Sequence, residues 1–518
     1  MHRRNFIKLA STLSLAAAMA RQQSWAQAVT GSQPQTQPAG DALPFSEQWL
    51  LTQAQNMARA PFELPKLQLP SELEDLNRDQ YQDIRFKLEN TPWYGEDIPF
   101  KPQFFHTGFQ YKVPVEMHIV DGGSAQPFRY STTLFDYGGQ LKPPPADSQS
   151  GFSGFRAVGP VNRTGAWDEF LAFQGASYFR AIATGQVYGA TARGIAINTA
   201  QPAGEEFPVF RAFYMQKPAA GDRQFTVYAL LDGPSLTGVY KFRAEPGRTT
   251  LLDVECTLFP RKALSHVGIS PLTSMFYAGW ADATRQDDYR PNVHNSTGLL
   301  IWNGLGEWIW RPLINPERIQ YTAFADRSPK GFGLMQRERN FEDFQDVEAR
   351  FGDRPSIWVE PMGDWGEGTV DLIELPTKSE IYDNVVAFWR PKTPLAENTS
   401  HHFRYRLHWC WEPPIKSTQA YAAQTRVGAL GRPDARLFVV DFVSSSSCNG
   451  CNVSPFTAEV RAGAGEVRNI VVRQVPASGA QRVTFEFRPG RTEQTDIRCE
   501  LKQNGQATSE VWVYRWTL

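Results

Sequence analysis

The sequence predicts an all-β protein, with a large antiparallel β-sandwich followed by a smaller immunoglobulin-like β-sandwich. From residue 104 onward, short segments rich in β-branched and aromatic residues are separated at short intervals by Gly, Pro, Asp and Asn. Near the C-terminus, Val483, Phe485 and Phe487 alternate with polar residues, which is typical of a strand with one buried face. Helical segments do not alternate with these strands, so the pattern does not favour a parallel α/β sheet.

The first 28 residues have the features of an export signal. Arg3 and Arg4 begin a twin-arginine motif, an apolar run follows over residues 9–20, and Ala26 and Ala28 fit an A-x-A cleavage site. We therefore expect a protein that is exported folded to the periplasm, with a mature chain beginning near Val29. No later stretch reaches ~18 uninterrupted apolar residues, so stable membrane insertion is not predicted.

The mature chain divides by composition into four parts. Residues 29–44 are rich in Gln, Pro and Gly and are predicted to be a disordered lead-in. Residues 45–414 are assigned to the large sandwich, 415–436 to a linker, and 437–518 to the immunoglobulin-like domain. Helices are expected over 45–60 and 71–88, the second with a capping box formed by Ser71 and Glu74.

Composition excludes several classes of function. The formal net charge is −1, which provides no basic field for nucleic acid and makes a neutral polymer the better partner. Cys448 and Cys451 form a single C-x-x-C pair, which is weak evidence for zinc or redox chemistry, and whether they form a disulfide stays open.

Residues 354–389 combine carboxylates with aromatic rings. Rings cover the apolar faces of a sugar, while carboxyl groups can protonate a leaving oxygen or activate a nucleophile. The competing interpretation is a pair of strands with acidic solvent faces and an aromatic core. The stretch contains these carboxylates and rings: Glu360, Asp364, Glu367, Asp371, Glu374, Glu380, Asp383, Trp358, Trp365, Tyr382, Phe388 and Trp389.

Several long motifs resemble one known family. These are YFRAIATGQVYGATARGIAINTA (178–200), residues 268–315, residues 315–346, RPSIWVEPMGDWGEG and EIYDNVVAFW. Together they resemble the periplasmic glucan biosynthesis proteins D and G, and the twin-arginine signal favours the D type. The resemblance implies a galactose-mutarotase-like β-sandwich, an inverting action on the β-1,2-glucan backbone, and no metal or organic cofactor.

The resemblance also implies roles for single residues. The general acid of the family falls on Asp383, with Glu380 as a supporting carboxylate. The base-side motif V-H-D-S-D-G-L becomes VHNSTGL here, so Asn295 and Thr297 replace its two aspartates. Phe351 falls where the family tends to have tyrosine. An amide cannot take a proton from water near neutral pH, so Asn295 is a degenerate base position.

Six further residues of these motifs are predicted to bind substrate, and no metal ligand is predicted. They are His294, Arg354, Trp358, Asp364, Trp365 and Trp389. The expected partner is β-1,2-glucan, and a homodimer stays open.

Three functions remain at this point. The first is an enzyme that cleaves β-1,2-glucan and transfers it to a sugar hydroxyl, with cyclisation as one outcome. The second is plain hydrolysis, with Asp287 or Asp288 acting as base. The third is a non-catalytic protein that binds or shapes glucan.

Overall fold

The computed structural model describes residues 42–64, 69–139, 141–145, 150–282, 287–429, 431, 434–444 and 455–518. The predicted signal peptide, most of the predicted lead-in, and Cys448 with Cys451 lie outside these ranges. The helices are α1 (Glu47–Ala58), α2 (Ser71–Glu74), α3 (Arg78–Gln82) and α4 (Phe341–Phe344).

Strands form most of the described chain, and the first 26 of them end at residue 410. They are β1 (Leu43–Pro44), β2 (Arg85–Phe86), β3 (Lys101–His106), β4 (Glu116–Asp121), β5 (Ser124–Pro127), β6 (Phe135–Asp136), β7 (Phe152–Gly159), β8 (Asp168–Gln174), β9 (Tyr178–Ala181), β10 (Thr191–Arg193), β11 (Ile195–Ile197), β12 (Val209–Gln216), β13 (Phe225–Asp232), β14 (Leu236–Glu245), β15 (Thr250–Pro260), β16 (Val267–Ser274), β17 (Phe276–Ala278), β18 (Val293–His294), β19 (Gly298–Trp302), β20 (Trp308–Pro312), β21 (Gln320–Arg327), β22 (Gly331–Met335), β23 (Ser356–Met362), β24 (Glu367–Glu374), β25 (Val385–Pro391) and β26 (His401–Cys410).

The remaining strands follow residue 420. They are β27 (Tyr421–Gly428), β28 (Arg436–Val443), β29 (Thr457–Ala462), β30 (Glu466–Gln474), β31 (Gln481–Arg488), β32 (Gln494–Gln503), β33 (Gln506–Ala507) and β34 (Val511–Thr517).

Two large sheets form the main sandwich, which confirms the all-β prediction. The first sheet has the order β1-β5-β4-β12-β13-β14-β15-β26-β23-β22-β19-β20-β34-β32-β29, with β33 beside β32. The second has the order β21-β24-β25-β16-β10-β9-β8-β7-β3, with β11 also on β16. Phe155, Phe173 and Phe179 of the second sheet pack against Phe213 and Phe242 of the first.

Alternation along the strands explains this core. In β15, Leu252, Val254, Cys256 and Leu258 are buried, while every second residue, from Asp253 to Thr257, is half-buried. A period of two places one set of side chains between the sheets and leaves the other on the outer face. All eight residues of β16 are buried, because β16 lies in the interior of its sheet.

The C-terminal strands form a second sandwich that shares the first sheet. β34, β32 and β29 extend that sheet, and the four-stranded sheet β27-β28-β31-β30 lies across from them. Val483, Phe485 and Phe487 of β31 are fully buried in the core between them, as their alternation predicted. The two sandwiches are joined by parallel pairing of β20 with β34, where Ile309 lies opposite Val511.

Two local predictions need correction. The predicted linker contains β27, which pairs with β28 in antiparallel register and so belongs to the second sandwich. The predicted helix over 71–88 is two short helices, because Asn77 accepts a hydrogen bond from the Gln80 backbone N–H and starts α3. The capping box is therefore Asn77 with Gln80, whereas α2 begins after Pro70 without a side-chain cap.

Helix α1 confirms the first predicted helix and packs on the outer face of the first sheet through Leu50 and Ala54. Leu43–Pro44, the end of the predicted lead-in, pair with β5. Within the described ranges, every helix is too short or too polar to cross a bilayer.

Candidate functional site

Asp383 lies two residues before β25 and is 3% exposed. Its neighbour Asn384 fixes this position by bonding to the backbone of Phe276. The Asn384 Oδ1 accepts from the Phe276 N–H at 2.8 Å, and its Nδ2 donates to the Phe276 and Leu375 carbonyls at 3.0 and 2.9 Å. Asp383 therefore lies at the end of a loop whose last residue, Asn384, is anchored by a buried amide clamp.

Asn295 lies on the opposite side of the same backbone segment. The Asn384 N–H donates to the Ser274 carbonyl at 3.0 Å, while the Asn295 N–H donates to the Met275 carbonyl at 2.8 Å. Successive carbonyls of an extended strand point in opposite directions. Asp383 and Asn295 thus flank one strand, at a backbone separation of roughly 10 Å, or two strand spacings.

Arg354 connects the two sides. It is buried, its Nη1 donates to Asn295 Oδ1, and its Nε and Nη2 donate to the Ala349 carbonyl at 3.1 and 3.0 Å. Burial lowers the pKa of Arg354 to about 10, and the nearby charges of Glu380 and Asp383 oppose this shift. The guanidinium therefore remains charged at neutral pH, and the amide of Asn295 offers it no compensating negative charge.

A second buried cation, Arg193, lies near Asp383 from β10. Its Nε donates to Thr273 Oγ1 at 2.9 Å and its Nη1 pairs with Glu205 Oε1 at 2.5 Å. Burial lowers the pKa of Arg193, but Tyr178, Glu205 and Asp383 outweigh it and the net shift is upward. Asp383 is thus within electrostatic reach of two guanidinium groups.

Phe351 packs against the guanidinium of Arg354, whose central carbon lies 4.3 Å from the ring centroid. Arg290 contacts the same ring at 6.0 Å. The ring is 1% exposed. It fills the space between two cations and supplies no hydroxyl that could relay a proton.

Glu380 is held by Arg290, which sequence analysis did not single out. The Arg290 Nη2 donates to Glu380 Oε2 at 2.6 Å, and the same guanidinium binds Asp346 at 2.8 Å and Asp288 at 2.8 and 3.0 Å. Hydrogen bonds from Arg290 lower the pKa of Asp288, which makes it a weak base. These ion pairs join residues that are far apart in sequence. Only the neighbouring acidic pair, Asp287 and Asp288, indicated from the sequence that Arg290 has this role.

His294 is buried, and its ring stacks on Phe276 at 5.3 Å with an interplanar angle of 2°. Burial lowers its pKa to about 3, so the ring is neutral at physiological pH. It lines a small cavity with room for about one water molecule. Glu338, and Thr425 of β27, line the same cavity. His294 thus lies beside the site, but its ring is enclosed rather than open to a polymer.

The three predicted tryptophan platforms are core residues, which corrects that prediction. Trp358 and Trp389 have no exposed surface, and Trp365 is 7% exposed. Trp358 stacks on Trp308 at 5.9 Å, and Trp365 packs against Tyr405 at 6.0 Å. These rings sit between sheets, so sugar rings cannot stack on them in this structure.

Asp364 also does not join the site. It is exposed in the turn between β23 and β24, where its Oδ1 accepts from the Gly366 N–H at 2.8 Å and from the Ser328 hydroxyl. These hydrogen bonds lower its pKa. Asp364 therefore stabilises a turn away from Asp383, and its predicted role in binding substrate stays a prediction.

Asn315 is a positioning residue that sequence analysis missed. Its Nδ2 donates to the Tyr277 and Thr377 carbonyls at 3.0 and 2.9 Å, and its Oδ1 accepts from the Thr377 N–H at 2.9 Å. Its own N–H donates to Asp282 Oδ2 at 3.1 Å. One buried amide thus ties β17 to the loop that leads to Asp383.

Thr297 faces a buried carboxyl, Glu338. The Gln336 Nε2 donates to the His294 carbonyl at 3.0 Å, so its Oε1 is oriented to accept from the Thr297 hydroxyl at 2.7 Å. The Thr297 hydroxyl also donates to Glu338 Oε2. Burial raises the pKa of Glu338 to about 7, although the hydrogen bond from Thr297 opposes this shift.

The Glu338 carboxyl is expected to make stability depend on pH. Its ordinary pKa is 4.5, so between pH 4.5 and about 7 the folded protein binds a proton that the unfolded chain has lost. Stability therefore falls as pH rises through this window. Glu338→Gln should raise the free energy of unfolding at pH 8 by up to about 3 kcal/mol and leave it nearly unchanged at pH 4.5.

Urea unfolding of both proteins at the two pH values measures this difference. Glu342→Gln, an exposed glutamate on the same segment, is the control and should follow the wild type at both values. An equal effect of Glu338→Gln at both pH values would show that Glu338 does not titrate in this range.

Comparisons with known proteins identify the family. The family described as "Periplasmic glucan biosynthesis protein, MdoG" matches residues 45–516. The chain belongs to the MdoG family. This confirms the family resemblance of its motifs.

Relatives within the MdoG family match most of the chain. "Glucans biosynthesis protein G" of Rhodopseudomonas palustris is 47% identical over 465 residues, covering 90% of this chain and 92% of that relative. The protein of the same name from Bradyrhizobium diazoefficiens is 45% identical, covering 92% and 95%. That from Vibrio cholerae is 43% identical, covering 92% and 87%. These MdoG relatives carry the name G, so they support the family and not the predicted D type.

Proposed function

We propose that this MdoG-family protein is a periplasmic enzyme that cleaves the β-1,2-glucan backbone and transfers the chain to a sugar hydroxyl. Asp383 acts as general acid, and Glu380, three residues earlier in the chain, supports it. The observation that carries the proposal is the amide of Asn295, which is held by Arg354 across one strand from Asp383. The acid is present, and the position where the family resemblance places the base holds an amide, which cannot activate water.

The proposed reaction is a single displacement. Asp383 gives its proton to the glycosidic oxygen as the bond from C1 to that oxygen breaks. A hydroxyl oxygen of the acceptor sugar attacks C1 from the opposite face and loses its proton to solvent water. Asp383 then recovers a proton from solvent. Because one displacement inverts C1, the new linkage is α, although the cleaved linkage was β.

A bound acceptor has an advantage over water when no base is present. Binding along the chain fixes the position of its hydroxyl, and effective molarities of well-oriented groups reach ~10⁵ M or more. Water at the same place is present at far lower effective concentration and lacks a base. Transfer is therefore favoured over hydrolysis.

Two alternatives remain. Plain hydrolysis needs another base, and the ion pair of Asp288 with Arg290 disfavours that carboxylate. A non-catalytic protein would bind glucan at this surface without cleaving it. The twin-arginine pattern at Arg3 and Arg4 further supports our proposal that the protein is exported folded, as expected for the D type.

Product analysis tests the proposal. Purified protein is incubated with linear β-1,2-glucan, and products are followed by mass, by reducing-end assay and by NMR of the anomeric protons. We expect cyclic chains, lighter by one water than linear chains of equal length, or extended chains, each with a new α linkage. Shorter chains, with one new reducing end for each cleaved bond, would indicate hydrolysis. Unchanged glucan would indicate a binding protein.

A further inference from the structure

Three loops around the site expose apolar side chains. Tyr289 is 80% exposed, Val347 is 77% exposed and Ile381 is 38% exposed. Tyr289 has the most exposed aromatic ring in the part of the chain that the structure describes. Apolar side chains grouped on loops beside a polar site can mark a binding surface, because binding residues are concentrated on loops.

Each of these side chains follows directly after a carboxylate that Arg290 binds. Tyr289 follows Asp288, Val347 follows Asp346, and Ile381 follows Glu380. The Arg290 side chain is only 13% exposed, so it lies beneath the three loops. Its ion pairs with the three carboxylates hold the loops together. The three apolar side chains are thereby fixed around a single cation.

Local turns hold two of the side chains at their tips. The Asp346 Oδ1 accepts from the backbone N–H groups of Glu348 and Ala349 at 2.8 and 2.7 Å, which places Val347 at the apex. The Asp288 Oδ1 accepts from the Arg290 N–H at 2.9 Å, which does the same for Tyr289. Both side chains are presented outward by turns that a side-chain to backbone hydrogen bond closes.

We propose that Tyr289, Val347 and Ile381 form a sugar-docking rim that binds a pyranose ring of the glucan beside Asp383. The proposal rests on the proposed function for the identity of the polymer. A pyranose has apolar C–H faces and a hydroxyl edge, which match a tyrosine ring bordered by carboxylates. The three carboxylates exceed the single guanidinium in charge, so the rim disfavours an anionic ligand.

The rim also offers a ring for sugar stacking, which the buried tryptophans do not. Because Trp358, Trp365 and Trp389 are enclosed, an exposed ring outside the stretch that carries the acid can supply the stacking that these three rings cannot. Tyr289 lies on the adjacent loop, and Arg290 ties it to Glu380. Arg290 and Arg354 both contact Phe351, which connects the rim to the Asn295 side of the site.

Calorimetric titration with a linear β-1,2-gluco-oligosaccharide tests the rim. Tyr289→Ala should weaken binding roughly tenfold, because an exposed stacking ring is lost. Tyr289→Phe keeps the ring and should bind like the wild type, and Val347→Ala should show a smaller loss. Leu305→Ala is the control, since Leu305 is 94% exposed on the turn between β19 and β20. Kinetically, Tyr289→Ala should raise KM with little change in kcat.

Binding and turnover separate the two proposals. Tyr289→Ala that binds like the wild type would overturn the rim, whatever the reaction products are. Glucan that binds with the expected dependence on Tyr289, but is not converted, would overturn the catalytic proposal and leave the rim standing. If Tyr289→Ala changes only the oligomeric state, the surface contacts protein and the rim is wrong. A wild type that does not bind glucan overturns both.

Discussion

Asp383→Asn is expected to reduce conversion of β-1,2-glucan by about 10²–10⁴-fold, the range that positioned general acids contribute. The amide has the same shape as the acid but cannot give a proton to the glycosidic oxygen. The clamp formed by Asn384 is untouched, so the fold and the binding of glucan should be retained. Initial rates of product formation, together with thermal unfolding and glucan affinity, measure these effects.

The control for this substitution is Asp364→Asn. Asp364 holds an exposed turn, and asparagine can accept the same backbone hydrogen bond. This variant should convert glucan at the wild-type rate. A rate near wild type for Asp383→Asn itself would remove Asp383 from the role of acid.

Asn295→Asp is expected to change both stability and product distribution. The new carboxylate would accept from Arg354, a buried cation whose present partners are two neutral oxygens. A hydrogen bond between charged groups contributes about 1.5–3 kcal/mol, so the unfolding free energy should rise. The carboxylate also faces Asp383 across one strand, where it can take a proton from water. Hydrolysis should therefore increase by about 10²-fold or more relative to transfer.

Thr297→Asp would obscure this result if it were combined with Asn295→Asp. A carboxylate at 297 would face Glu338 in a buried setting, and like charges there are unfavourable. The cleaner companion is Phe351→Tyr, which offers a hydroxyl beside Arg354. Asn398→Asp, on an exposed turn, controls for the change in charge. The measured quantity is the ratio of new reducing ends to transfer products. If neither Asn295→Asp nor its combination with Phe351→Tyr raises this ratio, Asn295 is not at the base position.

Local patterns predicted the fold well. Alternation identified the strands, as Val483 and Phe485 show, because a two-residue period is set by backbone geometry alone. The strand over 421–428 was missed, because its alternation is weak and its partner β28 lies across a turn. The predicted helix over 71–88 failed at Asn77, whose side chain caps a new helix more favourably than it continues the old one.

The site was only partly predictable. Asp383, Glu380 and Asn295 came from resemblance, whereas Arg290 and Arg354 acquire their roles from contacts between distant loops. Aromatic density could not distinguish a sugar platform from a core. The glycines give a signal in retrospect, since a Cβ on Gly331 would lie 2.1 Å from the Trp358 ring and one on Gly368 would lie 2.5 Å from the Trp389 ring. Such glycines make room for enclosed rings.

The parallel pairing of β20 with β34 has a consequence for how the molecule is made. This part of the first sheet is complete only when the segment around Val511 pairs with the segment around Ile309, and the two are far apart in sequence. Until then β20 presents an open edge, which is a site for mispairing with other chains. Closing a loop of this length is entropically slow. β34 therefore completes this part of the sheet only after the whole chain between β20 and β34 has been synthesised.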